Sequence, residues 1–395
     1  MNVFIIPSWY PNEKNPISGI FIKEQVDALS DFFPEINFAV SLCGDLSYSI
    51  HLKKPFYSLK VLREYSKEEP YLIRRKKNLI EIYNPVLLWT DKLNGYNRNL
   101  VKANLGNYLV AEKEFGKIDI IHCHVSYPAG FVGMKMSEKN KIPYIITEHM
   151  SPFPFEQYKT GKGLKDEVKC PLMRANERIT VSKSAKKDIE SYGIKSPIII
   201  PNLVNEDFFN IKNIKTREKF TFFTLGGMIP QKGILDLLNT IKKVVSIRKD
   251  FYFKIGGTGY ELDKYKDFSK ENNIEEYISW LGQLTPVESL KEFQNCDCFI
   301  LTSKHESFGV VYAEAIACGK PVIATKCGGP EDIVNKENGL LVETGNVEEI
   351  SNAILNMMDN INKYDSNKIR EDFINRFSRN IVTEKIVSVY KECIK

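Results

Sequence analysis

Short β-rich runs alternate with helical stretches along most of this chain, and the pattern occurs twice. In the first half the runs are VFII (3–6), INFAVSL (36–42), KIDIIHCHV (117–125), PYIITEH (143–149), ERITVS (177–182) and SPIIIPN (196–202). Amphipathic stretches such as IFIKEQVDALS (20–30) lie between several of them. This is the signature of βαβ units, whose parallel sheet is covered by helices on both faces. The rhythm pauses at IPNLVNEDFFN and resumes with FTFFTLGG (220–227), DFYFKIGG (250–257), YISWLGQ (277–283), CFILTS (298–303), KPVIATKCGG (320–329) and NGLLVE (338–343). Two doubly wound α/β domains are therefore expected, 1–204 and 205–375. A C-terminal amphipathic helix, 376–395, is expected to join the first. The length of 395 residues suits two cores of about 200 residues each. Thr285-Pro286-Val287-Glu288 predicts a helix start, with Thr as N-cap and Glu completing a capping box. Residues 43–115 break the rhythm and read as basic, aromatic insertions on the first sheet.

Composition narrows the class. Hydrophobic residues make up 43% and charged residues 27%, the balance of a soluble globular protein. No run approaches the roughly 18 apolar residues of a membrane span. The start MNVFIIPSWYP has no basic leader region, and Pro7 cuts its apolar run short. A first strand is expected there rather than a signal peptide, and with it a cytoplasmic location. The eight cysteines show no C-x-x-C or zinc spacing and are expected to be reduced, with Cys296 and Cys298 in the core. Residues 1–205 carry 29 Lys+Arg against 22 Asp+Glu, and residues 206–395 carry 26 against 28. The excess is densest at Arg74, Arg75, Lys76 and Lys77. Such a patch suits an anionic lipid surface, or is simply a solvated basic face. No nucleic-acid motif accompanies it, so nucleic acid is not an expected partner.

The second half ends several strands in glycine before a helix: TLGGMIPQKG with Lys232, KIGGTGYEL, HESFG and ATKCGGPE. Glycine admits a ligand close to the backbone, and a helix N-terminus offers N–H groups to an anion. A phosphate-bearing ligand is the expectation. It is not a dinucleotide held by a G-x-G-x-x-G turn, because PSWYP follows the first strand and Gly257-Thr258-Gly259-Tyr260-Glu261-Leu262 lacks the third small residue. In HESFGVVYAEA, Glu306 precedes a turn and Glu314 lies in what reads as a buried helix. A buried carboxylate without partners is costly. If the helix starts near Phe308–Gly309, Glu314 lies about 8 Å along its axis and its side chain tilts back toward the start. The N–H groups of Gly309 and Val310 would then seat a phosphate. Glu314 would suit a ribose diol and Glu306 a sugar hydroxyl, unless Glu314 pairs with a nearby Lys. His122, His124 and His149 end strands, where a ring either faces a ligand or is satisfied within the fold.

E-SFGVVYA-E is the E-x₇-E pattern of retaining GT-B glycosyltransferases, and SKHESFGVVYAEAIACGKPVIATKCGGPEDIV resembles the nucleotide-sugar domain of glycosyltransferase family 4. GGMIPQKGILDLL, VSKSAKKDI and IPNLVN resemble further segments of that family. PSWYPNEKNPISGIFIKEQ resembles its bacterial surface-polysaccharide members. The resemblance spans nearly the whole chain and implies two Rossmann-like domains facing a central cleft.

It also implies roles. Glu314 would bind the donor ribose, and Glu306 the transferred sugar. Lys232 would meet the diphosphate together with Gly309 and Val310, and Ser307 and Phe308 would line the same turn. Leu281 and Gly282 would lie near the base. Gly19 would let the first domain approach the diphosphate, and His149 would face the sugar across the cleft. His124 is a weaker candidate on the acceptor side. One departure stands out: Gly227 occupies the place of a family arginine. Lys304, Lys183 or Lys326 is the expected substitute.

The implied activity is retaining transfer of a sugar from a UDP- or GDP-sugar to a hydroxyl of a glycan or polyprenyl-linked acceptor. No cofactor or metal is expected, since no D-x-D pair is evident and Lys232 supplies positive charge. A sugar phosphorylase, a nucleotide-sugar epimerase or a non-catalytic nucleotide-sugar-binding subunit on the same fold is the alternative.

Overall fold

The structure is a computed structural model that describes the whole chain except residues 14, 44–47, 52, 89–94 and 213–217 and the side chains of 95 and 96. The chain divides into two compact units. The first takes Met1–Val181, Lys186–Ile200 and Thr383–Lys395, and the second takes Ser182–Ala185 and Pro201–Val382.

In chain order the first part runs β1 (Asn2–Pro7), α1 (Ile20–Phe32), β2 (Asn37–Leu42), α2 (Pro55–Tyr65), β3 (Tyr71–Lys76), β4 (Leu79–Tyr83), α3 (Gly95–Phe115) and β5 (Ile120–His124). It continues with α4 (Phe131–Asn140), β6 (Tyr144–Glu148), the short pair β7 (Lys159–Thr160) and β8 (Gly163–Leu164), α5 (Asp166–Arg174), β9 (Glu177–Thr180), α6 (Lys183–Ser191) and β10 (Ile198–Ile199). Eight strands form one sheet in the order β10-β9-β6-β5-β1-β2-β4-β3. All neighbours are parallel except β3, which runs antiparallel to β4 at the edge. Strand β5 is buried along its whole length, as a strand covered on both faces must be.

The second part runs β11 (Phe220–Leu225), α7 (Ile234–Val245), β12 (Phe251–Gly256), α8 (Leu262–Glu271), β13 (Ile278–Gly282), α9 (Pro286–Gln294), β14 (Cys298–Leu301) and α10 (Val310–Ala317). There follow β15 (Val322–Thr325), α11 (Pro330–Ile333), β16 (Gly339–Val342), α12 (Val347–Asn360), α13 (Ser366–Phe377) and α14 (Arg379–Ile394). Its sheet is wholly parallel, in the order β13-β12-β11-β14-β15-β16. A phenylalanine core spans it, with Phe222 stacked on Phe253 at 4.8 Å and Phe293 against Phe299 at 5.3 Å. Thr285 and Glu288 form the expected reciprocal cap of α9.

Both sheets are doubly wound. Chain order reverses direction between β5 and β1 in the first sheet and between β11 and β14 in the second. At such a reversal the loops leaving neighbouring strands turn opposite ways and leave a crevice for ligand.

Two sequence expectations need correction. The C-terminal stretch is not one helix. Extended backbone at Ser378 (ψ 156) separates α13 from α14, where Val204 N–H donates to Phe377 O at 3.0 Å and Val204 pairs with Ser378 as an isolated bridge. The 43–115 region holds β4, which extends the parallel sheet, and the edge strand β3, rather than only insertions upon it. All eight cysteines are free thiols, and Cys296 and Cys298 are buried.

Candidate functional site

The crevice of the second sheet is built by three converging loops. After β11 the chain makes a short turn at Pro230–Lys232 and enters α7 through Gly233, whose φ is +65°. Thr302, after β14, donates its hydroxyl to Gly233 O at 2.8 Å. Lys304 N–H donates to Gln231 O at 2.8 Å. The two loops are thereby stitched together at the point of reversal. A third loop, after β15, joins them: Glu306 N–H donates to Cys327 O at 3.0 Å, and Gly329 N–H donates to Glu306 O at 2.8 Å.

This convergence sets Lys232 against Glu306, 74 residues away in sequence. Lys232 Nζ lies 2.6 Å from Glu306 Oε1, and Ser303 Oγ donates to the same oxygen at 2.8 Å. Glu306 is only 8% exposed. A carboxylate so buried is tolerable because a cation and a hydroxyl satisfy it. The sequence reading placed the buried carboxylate at Glu314. The structure reverses this: α10 buries Tyr312, Ala313, Ala315, Ile316 and Ala317 and leaves Glu314 half-buried.

Helix α10 begins where expected. Gly309 is its N-cap at φ +88°, and a Cβ there would lie 2.6 Å from the Tyr312 ring. Val310 opens the first turn, where the earliest N–H groups lack intrahelical acceptors while Tyr312 N–H donates to Gly309 O at 3.0 Å. Ser307 is half-buried, while the Phe308 ring is buried and packs on Phe377 of α13 at 5.7 Å. Phe308 thus anchors the turn through its ring.

Several glycines serve the fold rather than a ligand. A Cβ on Gly257 would stand 1.9 Å from Gly226 O, and one on Gly329 2.3 Å from Phe308. Gly227 differs, since its nearest neighbours would be 3.8 Å away, so the backbone does not demand glycine where the family carries arginine. Of the three lysines considered as substitutes, Lys183 pairs with Asp332 at 3.1 Å and Lys326 with Glu343 at 2.5 Å. Lys304 is held most loosely, 3.6 Å from Asp236. Leu281 and Gly282 end β13, at the edge of this sheet, and Gly282 O accepts from Gly257 N–H at 2.6 Å.

In the first unit Gly19 caps α1 at φ +64°, so close to the Trp9 peptide that a Cβ would lie 2.4 Å from its oxygen. Two residues on, Phe21 packs against His149, with ring centroids 4.8 Å apart. His149 follows β6, and its Nε2 is 3.1 Å from His124 Nδ1 at the end of β5. Burial lowers the His149 pKa to about 3, so its ring is neutral. Sequence reasoning missed Glu148. Its carboxylate accepts from the backbone N–H groups of Ser126, His149 and Met150 at 2.9–3.0 Å and so holds this strand-end turn. The only available signal was a Glu beside the His in TEH. Ser303 was missed as well, for nothing local marks it as a partner of Glu306. Among the described residues, no cluster of His, Cys, Asp or Glu has the makings of a metal site.

The family model of glycosyl transferases group 1 matches residues 205–376, and that of glycosyltransferase family 4 matches residues 63–208. An uncharacterized glycosyltransferase of Methanocaldococcus jannaschii is 31% identical over 268 residues, covering 64% of this chain and 71% of the relative. An uncharacterized 41.2 kDa protein in the cps region of Klebsiella pneumoniae is 28% identical over 304 residues, covering 72% and 81%. Among solved structures, Anabaena HepE in complex with UDP is similar in fold, with a TM-score of 0.71, 16% identity and 99% of each chain covered.

Proposed function

The chain belongs to the glycosyltransferases and has their GT-B fold, and from that premise we propose that it moves a sugar, with retention, from a nucleotide diphosphate sugar to a hydroxyl of a glycan or lipid-linked acceptor. The observation that carries this reading is the Lys232–Glu306 pair beside the N-terminus of α10 at the reversal of the second sheet. As the bond to the leaving diphosphate breaks, negative charge grows on phosphate oxygens. Lys232 and the first N–H groups of α10 are fixed before reaction, so they stabilise that charge without reorganising. This supply of positive charge supports a metal-independent reaction. Lys304, at the same loop junction, is the best placed substitute for the arginine that Gly227 lacks. Glu306 takes a hydroxyl of the transferred sugar, Glu314 takes the ribose, and His149 faces the sugar. The UDP bound by the Anabaena neighbour supports a uridine nucleotide, with GDP next to be tried. The Klebsiella relative's place in a cps region supports a role in surface polysaccharide.

A thermal-shift screen of UDP, GDP and ADP tests the donor site. A nucleotide at a hundred times its Kd adds about 2.7 kcal/mol to the native state. Glu314→Ala removes hydrogen bonds to a charged group, so nucleotide affinity falls roughly ten- to hundredfold. An unchanged Kd by calorimetry would remove Glu314 from the ribose.

A lipid-linked acceptor calls for a membrane-facing surface. No helix among the described residues is long and apolar enough to cross a membrane. Of the basic run favoured by sequence, Arg74 pairs with Glu114, Arg75 with Glu81 and Lys76 with Asp31, while Lys77 lies exposed just beyond β3. Helix α2 fits better. It buries Ser58 and Val61 and turns Phe56 (87% exposed) and Leu59 (63%) outward. Lys60 and Arg63 complete an i, i+3, i+4, i+7 stripe with them, apolar and basic at once. Sedimentation with phosphatidylglycerol vesicles is expected to exceed that with phosphatidylcholine vesicles, and Phe56→Ser/Leu59→Ser to remove the difference. Equal sedimentation of the unaltered protein on both lipids would end the docking idea.

A further inference from the structure

Three buried histidine rings lie in contact in the first unit, His122 tilted against His124 and His124 stacked on His149. His122 and His124 alternate on β5 and so face the same side of the sheet, with ring centroids 4.3 Å apart. His124 stacks in turn on His149, at 5.4 Å and 17° between planes. One end of the row is fixed: His122 bonds the Tyr390 hydroxyl through Nδ1 and the Thr147 hydroxyl through Nε2, each at 2.7 Å. Both its nitrogens are engaged, so the ring cannot turn without losing a buried hydrogen bond. Towards the other end, His124 Nδ1 meets His149 Nε2 at 3.1 Å. The two remaining nitrogens, His124 Nε2 and His149 Nδ1, are buried and have no hydrogen-bond partner. Buried polar groups left this way call for an explanation, and a ligand is one.

We propose that His124 is a positioning residue for His149, the two rings sharing a single hydrogen bond that locks their tautomers to each other. A neutral imidazole has one N–H and one lone pair. Burial holds His149 and His122 near a pKa of about 3 and His124 well below its usual value, so all three are neutral. At the shared contact one ring donates and the other accepts. If His124 Nδ1–H donates, His149 must carry its own proton on Nδ1 and presents a donor there. If His149 Nε2–H donates, its Nδ1 presents a lone pair, and the proton of His124 moves to Nε2. Both rings therefore always hold the same tautomer, and changing one changes the other. The consequence for catalysis rests on the reading that His149 faces the transferred sugar. A sugar hydroxyl at His149 Nδ1 meets a donor or an acceptor according to His124.

Long-range 15N–1H NMR of the full-length, 15N-histidine-labelled protein tests this without any substitution of the pair. The expected spectrum shows His124 and His149 both protonated at Nδ1, or both at Nε2. One ring of each kind would overturn the shared bond. Kinetics test the consequence. His124→Phe keeps a stacked ring and removes the nitrogen, so kcat falls about tenfold, the loss of one buried hydrogen bond, while nucleotide Kd stays unchanged. His124→Asn, with an amide near the Nδ1 position, recovers most of that loss. A wild-type kcat in His124→Phe would overturn the positioning role. If instead His149→Phe retains full turnover, the sugar-facing reading of His149 fails, and the tautomer result stands by itself.

Discussion

Replacing Lys232 with Met is expected to lower turnover by a hundred- to thousandfold and to destabilise the fold by about 3 kcal/mol. The first effect follows from removing a preorganised charge where the leaving diphosphate becomes more negative, typically about 2.7–4 kcal/mol of transition-state stabilisation. The second follows from Glu306, which is 8% exposed and would keep only its Ser303 partner. Breaking a buried ion pair from one side costs about 3–5 kcal/mol. The low end applies because the Lys232 side chain remains 26% exposed. The two effects separate in a double variant. Lys232→Met/Glu306→Gln removes the uncompensated charge, so urea denaturation should show most of the stability regained, while turnover stays low. Equal stability of the single variant and the wild-type protein would mean that the pair does not hold the loops.

Gly233→Ala is expected to destabilise by about 3–5 kcal/mol, more than a surface methyl normally does. Two costs add. An L-residue at φ +65° pays left-handed strain of about 1–2 kcal/mol, and the new Cβ would fall 1.9 Å from Thr302 O, an overlap that only movement of the loop relieves. That movement carries the neighbouring Lys232 away from Glu306, so turnover falls with stability. Gly227→Ala is the control. Its Cβ meets nothing closer than 3.8 Å, and a change within about 0.5 kcal/mol is expected. Chemical denaturation of both variants checks the contrast, and similar midpoints would contradict it.

The alternation of strand and helix was legible because parallel strands are buried on both faces and therefore read as short apolar runs. β5 and β14, buried throughout, are of this kind. Strand β3 was not, since YLIRRK lies mostly exposed at an edge and carries no apolar face to read. The α10 start was legible from Gly309, a residue type chosen by local backbone geometry. Which glutamate is buried was not, because Glu306 is enclosed by loops following β11, β14 and β15 that meet only in three dimensions. The break at Ser378 has the same origin, a backbone contact with Val204, 174 positions earlier. Spacing along the chain reports local geometry; it is silent on what distant segments bring to it.

Strand β3 has one more consequence. It terminates an eight-stranded sheet, and an open strand edge is a template on which a second chain can add. Here the terminal strand presents Arg74, Arg75 and Lys76 in succession, with the register shifting between Arg74 and Lys76. A neighbouring copy approaching edge to edge would meet an irregular ladder and long side chains already tied to Glu114, Glu81 and Asp31. The run that first suggested a surface for attraction is, in the folded chain, an edge whose bulge and charged residues make it a poor template for a further strand.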